Sequence, residues 1–187
     1  MKKRVAFLAC VLAIAAAAAA QQPPAAASGP PPTLVAEVQM TFNAIKGYIT
    51  KAAAQWPEDK NTWQPTPAVR SWARLIAHVA DDNNGTCAAL IGMERPARFD
   101  TEDTQNSAAN KMTKADLEKA LGDSFALCDK AFAAVTDANM MERNGNRSKI
   151  GTLIYDTSHI NEHYGNIVTY MRLNGMVPPS TAGRGGK

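Results

Sequence analysis

Apolar residues recur at steps of three and four along most of the chain from residue 34 to residue 174. Val35, Val38, Phe42, Ile45, Ile49 and Ala52 form one such seam, the pattern of an amphipathic helix that buries a single face. Thr33 stands at the N-cap position and Pro57 lies just past the end. A second helix is predicted from Thr66-Pro67, a capping hydroxyl followed by proline at the first helical position. It carries Val69, Trp72, Ile76, Val79, Asn83 and Leu90 and ends near Gly92. A third starts at Thr113, with Asp116 three residues on as a capping box, and runs its stripe through Leu117, Leu121, Phe125, Cys128, Phe132 and Val135. The fourth starts near Ser148 and carries Ile150, Leu153, Thr157, Ile160, Tyr164, Ile167 and Met171. Asn174-Gly175 offers its left-handed cap, and Pro178-Pro179 forbids continuation. No segment alternates convincingly as a strand.

Four helices with one apolar stripe each bury those stripes best against one another, so the predicted class is all-α, a four-helix bundle. The connections are unequal. Residues 94 to 112 are polar, contain Pro96 and show little pattern. That stretch is far longer than the roughly two to eight residues of a tight bundle turn. A crossover of this length lets helices two and three run parallel, in up-down-down-up order.

The ends read differently. Met1-Lys2-Lys3-Arg4 is a basic start, Val5 to Ala20 is almost unbroken apolar sequence, and Gln21-Gln22-Pro23-Pro24 stops it. This is the layout of a signal peptide over residues 1–20, cleaved before Gln21. An uncleaved anchor and lipidation at Cys10 are the lesser alternatives. Residues 21–33 read as a disordered, proline-rich linker, 34–180 as the bundle and 181–187 as a flexible tail. The expected location is therefore periplasmic or secreted, with no membrane association after cleavage. Removing the leader takes the basic count from 20 to 17, against 17 acidic residues. A chain so balanced lacks the electrostatic footprint of a nucleic-acid binder. A homodimer through exposed helix faces is compatible with the pattern.

The chain has three histidines. His159 and His163 are four apart, which puts both rings on one helical face where two imidazoles can converge on one ion. His78 sits near the middle of the second helix, and packing helix two beside helix four could bring it to the same point. Three neutral imidazoles suit a divalent transition metal, zinc or nickel first and iron or copper next, with a position left open for water or substrate. The pair alone is also what two helix-flank histidines would look like. Asp156, one turn before His159, and Asp81, one turn after His78, are candidates to orient a ligand ring by accepting its second N–H. Asn166 and Tyr170 share the stripe of the histidine pair. Glu162 points badly for a general base. After the leader is removed two cysteines remain, Cys87 and Cys128. An oxidising compartment would allow a bridge between helices two and three; buried thiols are the alternative.

Two blocks carry a family resemblance. One is Pro67-Ala68-Val69-Arg70-Ser71 leading to His78-Val79-Ala80-Asp81. The other is His159-Ile160-Asn161-Glu162-His163-Tyr164-Gly165-Asn166 continuing to Asn174-Gly175 and Val177-Pro178-Pro179. Together they resemble the DinB-like (DinB and bacillithiol-transferase-like) four-helix proteins, with the long ending of exported members. The resemblance spans about residues 34 to 180 and implies an up-down-down-up bundle holding a divalent metal on three histidines, at the matching positions His78, His159 and His163. It also implies transfer of low-molecular-weight thiols or isomerisation of thiol adducts, the activities of characterised relatives. Independently of the resemblance, an open imidazole-bound metal would lower the pKa of a bound thiol or water. A thiol transferase or a hydrolase acting on a small molecule is therefore expected, with Asn166 or Arg172 as candidate substrate contacts and Tyr164, which lies on the core stripe, as the weaker third. The other reading open to the sequence is a non-catalytic module in which the metal clamps helix two to helix four.

Overall fold

The computed structural model describes residues 31–100 and 106–183. The leader and most of the linker fall outside the described residues. Four helices dominate: α1 (Leu34–Gln55), α2 (Trp72–Leu90), α3 (Lys114–Ala133) and α4 (Lys149–Leu173). Three begin where the sequence places their caps. Thr33, Thr113 and Ser148 each accept a hydrogen bond from a first-turn backbone N–H, and Asp116 completes the capping box of α3.

The start of α2 differs from expectation. It begins at Trp72, capped by Ser71, whose Oγ accepts from the Arg74 N–H at 3.3 Å. Pro65 to Arg70 instead forms turns. Tertiary contacts decide this. The Trp72 N–H donates to the Trp63 carbonyl at 2.9 Å and the Ala73 N–H to the Asn61 carbonyl at 2.8 Å. The preceding loop thus satisfies donors that would otherwise be orphaned at the helix start. The Trp72 ring stacks on Trp56 with centroids 3.9 Å apart and fixes the junction further. A second difference is a two-residue hairpin, β1 (Arg143–Asn144) and β2 (Arg147–Ser148), paired antiparallel. Gly145 turns it with φ of +59°, a conformation that costs glycine little.

Side-chain contacts give the helix directions. Asn83 bonds Ser124 at 3.2 Å and Cys87 is disulfide-bonded to Cys128, so α2 and α3 advance together. His78 faces His163 while Asp82 faces His159, so α2 and α4 run opposite ways. Gln39 reaches the Phe132 carbonyl, whereas Lys114 reaches the Ala54 carbonyl, so α1 and α3 are antiparallel. The order is up-down-down-up. Phe42, Phe125 and Phe132 stack at one end of the core; Trp56, Trp63 and Trp72 close the other. Helix α2 is buried on almost every side, including Arg74, Asp81, Asn83 and Asn84. It is the central rod, and the polar groups it carries inward make the site.

The crossover between α2 and α3 is fastened to α2 by two carboxylates. Asp81 accepts the backbone N–H groups of Phe99 and Asp100, at 2.9 and 2.7 Å. Asp100, itself buried, accepts from Arg74 Nε at 2.8 Å, Arg70 Nε at 3.0 Å and Ser107 Oγ at 3.1 Å. Charge-assisted bonds of this kind offset the desolvation of a buried carboxylate.

Candidate metal centre

The histidine site lies between α2 and the antiparallel α4. His159 and His163, one turn apart on α4, turn their rings toward His78 on α2. The three ring centroids lie 4.4 to 5.5 Å apart. The Nε2 atoms of His159 and His163 are 3.0 Å from each other. Asp82 joins them: its Oδ2 is 3.0 Å from His78 Nε2 and 3.3 Å from His159 Nε2. One donor atom from each of the four residues lies within 4.8 Å of all the others.

These donors fit a metal ion. With metal–nitrogen bonds of about 2.0–2.1 Å, the edges of a tetrahedral site are about 3.3 Å long. The short N···N and N···O separations are of that size. Two of the rings are also in the state a metal requires. Burial, reinforced by the two other histidines and by the Arg70 charge, pushes His163 down to about 3. Burial likewise lowers His78, against the pull of Asp82. Both imidazoles are therefore neutral near pH 7, with a lone pair to give.

Asp82 is absent from the sequence expectations, although it had a signal. His78 and Asp82 are four apart, the same spacing as His159 and His163. Both pairs place two donors on one helical face.

The aspartates singled out from the sequence do other things. Asp81 does not orient His78; its carboxylate is taken up by the crossover backbone as described above, and burial raises its pKa against those bonds. The Nδ1 of His78 is buried without a hydrogen-bond partner. Asp156 does not reach His159 either. It points into the core, with Oδ2 4.0 Å from the sulfurs of both Cys87 and Cys128. Burial, then the charge of Asp82, pushes its carboxyl up to about 7. In both cases a carboxylate one turn away along the helix looks able to reach the histidine from the sequence, and the packing partner selects its direction.

Asn166 does stand beside the site, its side-chain amide nitrogen 3.5 Å from His163 Nδ1. Tyr170 is farther along α4, and its hydroxyl donates to the Arg70 carbonyl at 2.7 Å. Tyr164 packs: its ring stacks on Tyr48 and its hydroxyl accepts from the Ser180 N–H. Glu162 and Arg172 are exposed. Cys87 and Cys128 are disulfide-bonded with Cα atoms 5.0 Å apart.

Asn166 and Tyr170 also line a cavity of about 620 Å³, together with Arg70, Thr169, Ala68 and Val69. The cavity begins one helical turn from His163 and is open to solvent. The loop that displaces the start of α2 forms one of its walls.

Comparison with known proteins agrees with this architecture. No curated protein matched the chain in a sequence search. Among solved structures, a conserved protein of Enterococcus faecalis is similar in fold, with a TM-score of 0.58 and 16% sequence identity. The match covers 74% of this chain and 95% of that one. The family model of the DinB superfamily matches residues 41–167, a stretch that takes in α2, α3, all three histidines and Asp82. The chain belongs to the DinB superfamily.

Proposed function

We propose that the protein is an exported metal-dependent enzyme, a hydrolase or thiol transferase, whose single divalent ion is held by His78, His159 and His163. The observation that carries this reading is the convergence of three Nε2 atoms and one carboxylate oxygen from two helices. Zinc and nickel suit the imidazole donors best, with iron and copper next. When bound, such an ion lowers the pKa of a coordinated water or thiol and so supplies a nucleophile at neutral pH.

The chain's own residues do the rest. His78 and His163 arrive neutral, and all three rings are held by two packed helices, so little reorganisation accompanies metal uptake. Asp82 stands at hydrogen-bond distance from two of the ring nitrogens, where its carboxylate can take up the proton that a water or thiol releases. Asn166 stands beside His163 and forms the step from the metal site into the cavity. Hydrolysis agrees better than thiol transfer with the signal-like leader, because reduced thiol cofactors are scarce outside the cytoplasm.

Asp82 also favours a second reading. As a fourth ligand it would close a tetrahedral site, and the metal would then clamp α2 to α4 without catalysis. Cobalt substitution separates the two. An open site shifts its visible spectrum on adding azide, whereas a closed one does not and instead loses much of its thermal stability when the metal is removed. The reading itself is tested by metal analysis of protein purified without chelator. About one transition-metal ion per chain is expected, with marked loss in His163→Ala. Equal metal content in the two proteins would refute the site.

A further inference from the structure

We infer that the cavity beside the histidine cluster selects a small molecule carrying a carboxylate or similar anionic group, held by Arg70, with its reactive end directed toward the metal. The inference rests on the metal reading above for the direction of the ligand, but on the cavity alone for its charge. At about 620 Å³ the cavity lies in the range of small-molecule sites. Its walls combine apolar surface from Ala68 and Val69 with hydrogen-bonding groups from Asn166, Thr169 and Tyr170.

Two arginines line it and, among the described residues, no aspartate or glutamate does. Arg70 is the accessible one. Its side chain is 38% exposed and binds Asp100 through Nε alone. That contact leaves the two terminal nitrogens of the guanidinium, the fork with which arginine donates to a carboxylate in bidentate fashion, on a residue that lines the cavity. The loop is held in that pose by the Tyr170 hydroxyl, which binds the Arg70 carbonyl. Asn166 belongs to both places, standing beside His163 and lining the same cavity as Arg70. None of this was visible in the sequence, where Arg70 lay on a predicted helix.

The test uses cobalt-loaded protein and thiols as probes, since a thiol bound to cobalt gives a visible charge-transfer band. Mercaptoacetate, 3-mercaptopropionate and 4-mercaptobutyrate are compared with 2-mercaptoethanol. The best of the three acids is expected to bind at least about tenfold tighter than the neutral thiol, as a charge-assisted pair would give. Arg70→Gln should abolish that preference while taking up cobalt with an unchanged spectrum, and Arg70→Lys should keep part of it. In the metal-free protein, ¹⁵N–¹H spectra titrated with the same acids should shift Arg70, Asn166 and Thr169, and 2-mercaptoethanol should shift them less. Failure to take up cobalt would overturn the metal reading and leave the metal-free titration to judge the cavity. No preference for the acids in either titration, or a preference that survives Arg70→Gln, would overturn the inference.

Discussion

Two polar clusters lie within two turns of each other along α2 and α4, the second also drawing on α3, and they are built for opposite ends. One is His78, Asp82, His159 and His163; the other is Cys87, Cys128 and Asp156. Both gather residue types that can hold a metal. In the second the two sulfurs are joined to each other, all three residues are buried, and the carboxyl is pushed toward its neutral form. Its ligands are spent on a crosslink. In the first, His78 and His163 are held neutral, Asp82 is half-buried, and a solvent-open cavity lies next to them. What separates a site from a staple here is not residue type but whether lone pairs remain and a route leads to them.

The comparison is broken most forcefully at the crosslink. The disulfide closes a loop of sequence separation 41. Chain-entropy arguments put its contribution at about 4 kcal/mol. Replacing both cysteines with alanine should lower stability in urea by about that much while leaving metal affinity nearly unchanged. If metal affinity fell as well, the two clusters would be one functional unit.

The next effect is at Asp82. Asp82→Asn preserves shape and removes charge, and should weaken metal binding about ten- to hundredfold, the size seen when a partner of a ligand histidine is lost. Competition with a chromophoric chelator measures it. An unchanged affinity would remove Asp82 from the site.

Taken per pH unit, the smallest effect is in the pH dependence of the metal-free protein. Asp156 titrates near 3.8 when unfolded and at about 7 when folded. Between those values the folded chain keeps a proton that the unfolded chain has lost. The stability it contributes is therefore complete below pH 3.8 and is lost as pH rises through 7. His163 does the reverse, titrating near 6.5 unfolded and about 3 folded. Its contribution is complete above pH 6.5 and is lost as pH falls toward 3. Each slope is at most about 1.4 kcal/mol per pH unit, and the two oppose each other from about pH 4 to 6.5. Asp156→Asn should unmask a stability that climbs with pH across that window, read from urea midpoints at several pH values. A flat profile in the variant would show that His163 is not held as the structure places it, and a variant profile identical to that of the unaltered protein would show the same of Asp156.

Much of the fold was legible because it is local. The stripes of α1, α3 and α4, the caps at Thr33, Thr113 and Ser148, and the stop at Gly175 each follow from residues within a turn or two of one another. The long polar crossover announced the parallel pairing of α2 with α3. Helix α2 was the hard one. It is buried nearly all round, so hydrophobic periodicity does not single out a face, and its start was set by carbonyls of Asn61 and Trp63 that precede it.

The sequence by itself determined four helices, their order and three histidines at spacings able to meet. The tertiary structure alone decided which carboxylate meets them. Residues three and four beyond His78 both lie close to its face of the helix. Asp81 and Asp82 are therefore equivalent until α4 takes one side and the crossover takes the other. The same holds for Arg70, whose position on a loop rather than a helix depends on contacts that no local pattern encodes.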